Sequence, residues 1–151
     1  MTCCAELCCS PPGCDSWDDH QYCDSGTCES CLRKASTYAE LQQCNKVDDP
    51  ATEPQPNGCS WSPDNPAGCG TTSFDNACDA HDTCYQTCGS DKGGCDNAFL
   101  NALTAVCAGV PPGYCYDACI FWASWYVWAV EEYGDGAYEA DQVMACACCD
   151  C

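Results

Sequence analysis

In the stretch NACDAHDTCY, residues 76–85, His81 and Asp82 stand side by side, with Cys78 three residues before the histidine and Cys84 three after it. An imidazole is the side chain best suited to take up a proton near neutral pH, and a carboxylate is a hard oxygen ligand for a cation such as Ca²⁺. Further on, Cys95 is followed directly by Asp96. On a helix, Cys78 and Asp82 are one turn apart, as are His81 and Cys84, so the two polar side chains can face one groove from adjacent angles. If Cys84 bridges to Cys95, a second helix is clamped antiparallel at the level where Asp96 can reach His81. A buried carboxylate that accepts the hydrogen of one ring nitrogen fixes the tautomer and leaves the other nitrogen as a base. Because Ca²⁺ takes about 6–8 oxygen ligands, Asp82 alone is insufficient and carbonyls of a nearby loop must complete the shell. A general base beside a cation is the arrangement that activates water and stabilises an oxyanion in ester hydrolysis.

The elements that must hold these residues are legible in the periodicity. From about Phe74, residues Cys78, His81, Cys84, Tyr85 and Cys88 recur at spacings of three and four, and Gly89 is placed as a stop. GSDKGG reads as a turn. A second helix is predicted from about Gly94 to Cys107, with Phe99, Leu100, Leu103 and Val106 as its apolar stripe, ending at GVPPG; a third is predicted over Tyr116 to Tyr133. Upstream, Leu32 to Val47 is compatible with one helix, and the acidic, proline-bearing run that follows reads as a linker. Four segments are expected: a cysteine-rich N-terminal module over 1–47, the linker over 48–56, the helical domain over 57–145 and a cysteine-rich tail over 146–151.

Cysteine and charge bound the class. Of 151 residues, 22 are cysteine, about 15% and above the roughly 8–10% that marks a disulfide scaffold. Such usage implies an oxidising, extracellular setting in which bridges replace core that a small chain cannot build. No basic start and apolar run mark a secretory signal at the N-terminus, so the numbering is expected to begin after a removed signal or at an uncertain start. Metal-thiolate clustering is the alternative use of so many thiols, but five tryptophans, eight tyrosines and the apolar run Ile120 to Val130 call for a packed core. Residues 1–31 hold eight cysteines, and the final CACCDC holds four. Neighbouring cysteines rarely bridge each other, so these must reach elsewhere, either across the same chain or into another one. The net charge of −19, from four basic and 23 acidic residues, excludes nucleic-acid binding and disfavours docking on anionic membranes. The aromatic run is shorter than the about 20 apolar residues that a transmembrane helix needs.

In ACDAHDTCY, in the TCGSDKGGCDNAFL that follows, and in ASWYVWAVEEYGDGAYEADQ, the chain resembles the secreted phospholipase A2 superfamily, in the bacterial and fungal-like subtype with an HDxCY and CD pattern. The resemblance spans roughly residues 57–142. It implies a mainly α, disulfide-rich fold: a phospholipase A2-like core of two antiparallel, disulfide-linked helices plus a third, here flanked by cysteine-rich arms. It makes His81 the base, Asp96 its orienting partner, Tyr85 a hydrogen-bonding neighbour of the buried aspartate, and Asp82 a Ca²⁺ ligand, with Cys84 paired to Cys95 and Cys78 to the calcium-loop cysteine. Animal and venom members carry a further cysteine pair at the positions of Ala77 and Ala102, absent here together. Two stretches compete for the calcium loop: NGCSWS, whose Cys59 lies 19 residues before Cys78, and AGCGTT, whose Cys69 lies nine before it. The longer spacing is nearer the family's and makes the backbone of Gly58 and Ser60 the carbonyl donors.

Two functional readings follow. One is a secreted, Ca²⁺-dependent hydrolase of the sn-2 ester of glycerophospholipids. The other is a silent phospholipase A2-like building block, self-associating through its terminal cysteines into an extracellular filament or sheath.

Overall fold

The computed structural model describes residues 32–59, 69 and 73–149; expectations for the N-terminal cysteine module before residue 32 and for Ser60 lie outside the described residues. Within them the chain runs β1 (Leu32–Arg33), α1 (Tyr38–Gln43), β2 (Lys46–Asp48), α2 (Asp75–Tyr85), α3 (Lys92–Ala108), α4 (Tyr114–Tyr133), α5 (Asp135–Ala145) and β3 (Cys146–Cys149). The fold is mainly helical and disulfide-rich.

Local signals set the helix ends. The Asp91 carboxylate accepts the Gly94 N–H at 2.7 Å and opens α3 two residues before the expected start. α2 ends at Tyr85, short of the expected Cys88, with the Gln86 N–H capping it on the Asp82 carbonyl; Gly89, with φ of +75°, is not its stop but lies in the turn beyond, where the chain reverses toward α3. Pro111, Pro112 and Gly113 separate α3 from α4.

Contacts give the helix directions. Cys84 bonds to Cys95 and His81 packs on Phe99, so residues receding along α2 meet residues advancing along α3, and the two helices are antiparallel. Cys107 bonds to Cys119, while Lys92 reaches the carbonyl of Val130, which sets α4 antiparallel to α3. Their facing surfaces make the main core, with Phe74, Phe99, Leu103, Tyr126 and Val127 buried around Cys78, Cys107 and Cys119.

Two further expectations require correction. The span Leu32 to Val47 is not one helix: only Tyr38–Gln43 is helical, started by the Thr37 side chain that accepts the Glu40 N–H, and strands lie on both sides. The reason is a partner far along the chain. β3 lies between β1 and β2, antiparallel to both, in the order β1-β3-β2, with Leu32 opposite Cys149 and Val47 opposite Ala147. The third helix is also followed at once by another, α5, with Gly134 as the junction.

Two of the tail cysteines reach back into their own chain: Cys146 to Cys88 and Cys148 to Cys44, the latter pair 104 residues apart. Cys149 is disulfide-bonded as well. With Leu41 and Ala35, Cys146 and Cys148 form a second, sulfur-rich core under the small sheet. Every described cysteine is disulfide-bonded, as an oxidising compartment permits.

Peptide mapping of unreduced protein should therefore recover Cys88 linked to Cys146 and Cys44 linked to Cys148 from monomeric material. Recovery of these tail peptides only from a covalent multimer would contradict the intrachain pairing.

Candidate active site

The site is built where α2, α3 and the junction of α4 with α5 meet. Helical spacing puts His81 and Tyr85 one turn apart on the buried face of α2, and the Cys84–Cys95 bridge sets the first turn of α3 opposite them. His81 is 7% exposed and Asp96 4%. The His81 Nε2 lies 2.8 Å from Asp96 Oδ1, and the Tyr85 hydroxyl donates to the same oxygen at 2.7 Å. The other carboxylate oxygen accepts from Lys92 Nζ at 2.8 Å. The imidazole is held between rings, 4.2 Å from the Tyr85 centroid and 4.5 Å from that of Phe99.

The electrostatics are set by that carboxylate. Burial alone would raise the Asp96 carboxyl, but hydrogen bonds from Lys92, Tyr85 and His81, with the charge of Lys92, hold it below the ordinary carboxylate range. An ionised carboxylate can only accept, so His81 Nε2 carries the hydrogen and Nδ1 is the nitrogen left to take a proton. Burial, reinforced by the adjacent Asp96, pushes the Tyr85 phenol far up, so it remains a donor. Burial works against the Lys92 ammonium, yet Asp96 and Asp135 raise it above its ordinary value and keep it charged.

Asp82 lies on the neighbouring face of α2. Its Oδ2 accepts the Asn57 N–H at 3.1 Å, and Asp79 Oδ1 accepts the Gly58 N–H at 2.9 Å. Gly58 has φ of +76°, so this turn favours glycine. The Cys59–Cys78 bridge anchors the same segment on α2, whereas Cys69 pairs with Cys115 at the start of α4. Of the two competing stretches, the one whose described residues, Asn57 to Cys59, lie against α2 is the one that bears Cys59. Burial raises the Asp82 carboxyl above its ordinary value, opposed by the Asn57 N–H and His81 and reinforced by Asp79; burial and Asp82 itself raise Asp141. Among the described residues no three His, Cys, Asp or Glu side chains form a metal-holding group. A hard cation here would have Asp82 as its one carboxylate ligand and would need loop carbonyls, such as that of Gly58, to complete its shell.

Three functional neighbours escaped the sequence. Lys92 holds Asp96 and also donates to the Val130 carbonyl at 3.0 Å, with Asp135 3.4 Å away, so it ties α3 to α4 and α5. Its position four residues before Asp96 on a helix is the signal that could have revealed it. Gln142, 1% exposed, donates to the carbonyls of Tyr85 and Thr87 and accepts the Gly89 N–H, closing the end of α2 against α5. Gly134 stands where a Cβ would lie 2.2 Å from the Val130 carbonyl oxygen and 2.9 Å from the Tyr85 hydroxyl.

Similarity to known proteins falls on a part of the chain. A 61-residue alignment is 34% identical to group XIIA secretory phospholipase A2 of Homo sapiens, and another of the same length and identity relates it to that of Mus musculus. Each covers 33% of this chain and 32% of the relative, so the chain spans about a third of the length of the curated relatives it matches. No protein-family model matches the chain, and no solved structure does. Together with the helical, disulfide-rich core, the similarity supports a phospholipase A2-like relationship at superfamily level.

Two outcomes test this geometry. A group whose carboxyl is held low in the folded state adds stability above its unfolded pKa, about 3.9, and loses it as pH falls through the lower folded value. Urea midpoints of wild type and Asp96→Asn should therefore lie far apart at neutral pH and converge below about pH 4; parallel profiles would remove the pairing. Gly134→Ala should lower the midpoint markedly, whereas Gly136→Ala, with nothing within 4 Å of its Cβ, should leave it unchanged or raise stability by up to about 1 kcal/mol.

Proposed function

We propose that the chain is a secreted, phospholipase A2-like hydrolase that cleaves the sn-2 ester of glycerophospholipids with His81 as general base and Ca²⁺ as cofactor. The observation that carries the reading is the buried Asp96 carboxylate, which engages His81 Nε2 and leaves Nδ1 for a water. A structural helix pair has no need of an ionised carboxylate with three donors beneath a histidine, since burying such a group is costly unless every partner is supplied.

In the proposed reaction Nδ1 of His81 takes a proton from water as the water oxygen bonds to the sn-2 carbonyl carbon. Collapse of the tetrahedral species breaks the bond to the glycerol oxygen, which recovers the proton from His81; fatty acid and lysophospholipid leave. Asp96 keeps the imidazole in the required tautomer and stabilises its cationic form, while Tyr85 and Lys92 hold the carboxylate. A bound Ca²⁺, held by Asp82 and the carbonyls of Gly58 and Ser60, would offset the charge on the carbonyl oxygen.

The competing reading is a silent building block of a cross-linked extracellular assembly. Cys146 and Cys148, two cysteines it would use, are engaged within the chain. Export to the extracellular space is part of both readings and rests on the disulfides.

His81→Gln should lower Ca²⁺-dependent release of fatty acid from mixed micelles by about 10²–10⁴-fold while keeping the Ca²⁺-induced rise in melting temperature; undiminished hydrolysis would sink the mechanism. Asp82→Asn should lose that thermal response, which for a bound ligand at 100 times its Kd is about 2.7 kcal/mol. A wild type that neither binds Ca²⁺ nor hydrolyses lipid would leave the site a structural remnant.

A further inference from the structure

Six of the eight large hydrophobic side chains exposed among the described residues lie on α4, and all six are aromatic. Four of them form a stripe: Phe121 is 62% exposed, Trp125 39%, Trp128 47% and Tyr133 74%. With half-buried Trp122, their rings touch in an unbroken series, Phe121 to Trp122 at 5.5 Å, Trp122 to Trp125 at 5.8 Å, Trp125 to Trp128 at 6.5 Å and Trp128 to Tyr133 at 5.6 Å between centroids. From Phe121 to Tyr133 the helix rises about 18 Å. The opposite face of α4 packs into the core through Cys119, Ala123, Tyr126 and Val127. Helical periodicity thus explains the buried residues, and among the described residues nothing covers the stripe.

Charge selects its occupant. α4 carries Asp117, Glu131 and Glu132 and no basic residue, and the whole chain has a net charge of −19. A second copy would bring an equal negative charge to the contact, and an anionic bilayer would repel it. A phosphatidylcholine surface is neutral, and its outermost group is a quaternary ammonium, which aromatic faces bind by cation–π attraction and carboxylates tolerate. Tryptophan and tyrosine are also the side chains that settle at the headgroup level of a bilayer. No described helix is long and apolar enough to cross a membrane.

We propose that the α4 stripe of Phe121, Trp125, Trp128 and Tyr133 docks the protein on zwitterionic, choline-bearing lipid surfaces. Val130, between Trp128 and Tyr133, accepts the hydrogen bond of Lys92, which holds Asp96; the docking face and the His81 site are joined through one side chain. The purpose of docking rests on the hydrolase reading, but docking itself is measured without hydrolysis.

The test is co-sedimentation of the His81→Gln protein, with EDTA present, with vesicles of phosphatidylcholine or of phosphatidylglycerol. Expected are binding to phosphatidylcholine with a blue shift of tryptophan emission, weaker binding to phosphatidylglycerol, and a loss of about tenfold or more in partitioning for Trp125→Ala/Trp128→Ala. Leu100→Ala, an exposed apolar position on α3, should bind unchanged. Should the double variant lose its helical circular dichroism, Phe121→Ala/Tyr133→Ala replaces it with the same expectation. Absent binding, tighter binding to phosphatidylglycerol, stripe variants that bind as well as their parent, or a stripe-dependent dimer in sedimentation each overturn the proposal. Lipid hydrolysis lost in wild type with vesicle binding kept would count against the hydrolase reading alone; hydrolysis kept with vesicle binding lost would count against docking alone.

Discussion

The arrangement depends on one buried carboxylate. Asp96 is ionised, almost wholly out of solvent, and satisfied by His81, Tyr85 and Lys92. Removing a charge from water is expensive unless the partners are in place, and breaking such a network from one side leaves an uncompensated charge. The partners come from α2 and from the first turn of α3, and Lys92 carries the connection on to the end of α4. The relative placement of the helices is therefore coupled to the protonation and orientation of one imidazole, which is the property a general base needs.

Disulfides take the place of apolar volume that a chain of this size cannot supply. Cys84–Cys95 sets the register at which Asp96 meets His81, and Cys59–Cys78 brings the Asn57 and Gly58 backbone over Asp82 and Asp79. The bridges from Cys44 and Cys88 to the tail bind the small sheet to the helices and supply sulfur where a larger protein would place Leu or Phe. With the main core carried by α2, α3 and α4, the outward face of α4 is left to aromatic side chains that no core demands.

Chemistry follows from this division. The buried network holds an imidazole with one nitrogen turned to the Asp96 carboxylate; the half-buried carboxylates Asp82 and Asp141 are raised by burial and by nearby negative charge; the aromatic stripe lies exposed on α4. In the proposed reading these are the base, the cation site and the lipid contact of a phospholipase A2-like hydrolase, and each has a separable measurement.

What the sequence by itself determined is what repeats at short range. Cys78, His81, Asp82, Cys84 and Tyr85 lie within one short helix, and Asp96 follows its cysteine directly, so helical spacing already groups them; the disulfide-rich, mainly α class follows from composition and the same periodicity. The tertiary structure decided what depends on distant partners. Leu32–Arg33, Tyr38–Gln43 and Lys46–Asp48 could not be separated into strand, helix and strand without β3, about a hundred residues on, because a short strand is defined by its neighbour and not by its own pattern. Lys92 has a helical-spacing clue, but its bond to Val130 does not, and Gln142 meets Tyr85 from 57 residues away. Which of Cys59 and Cys69 meets Cys78 was not decided by local spacing, since either could reach it; the structure pairs Cys59 with Cys78 and Cys69 with Cys115. Local spacing is written in the order of residues, whereas the pairing of remote groups is settled by which of them can be buried together with every charge and hydrogen bond satisfied.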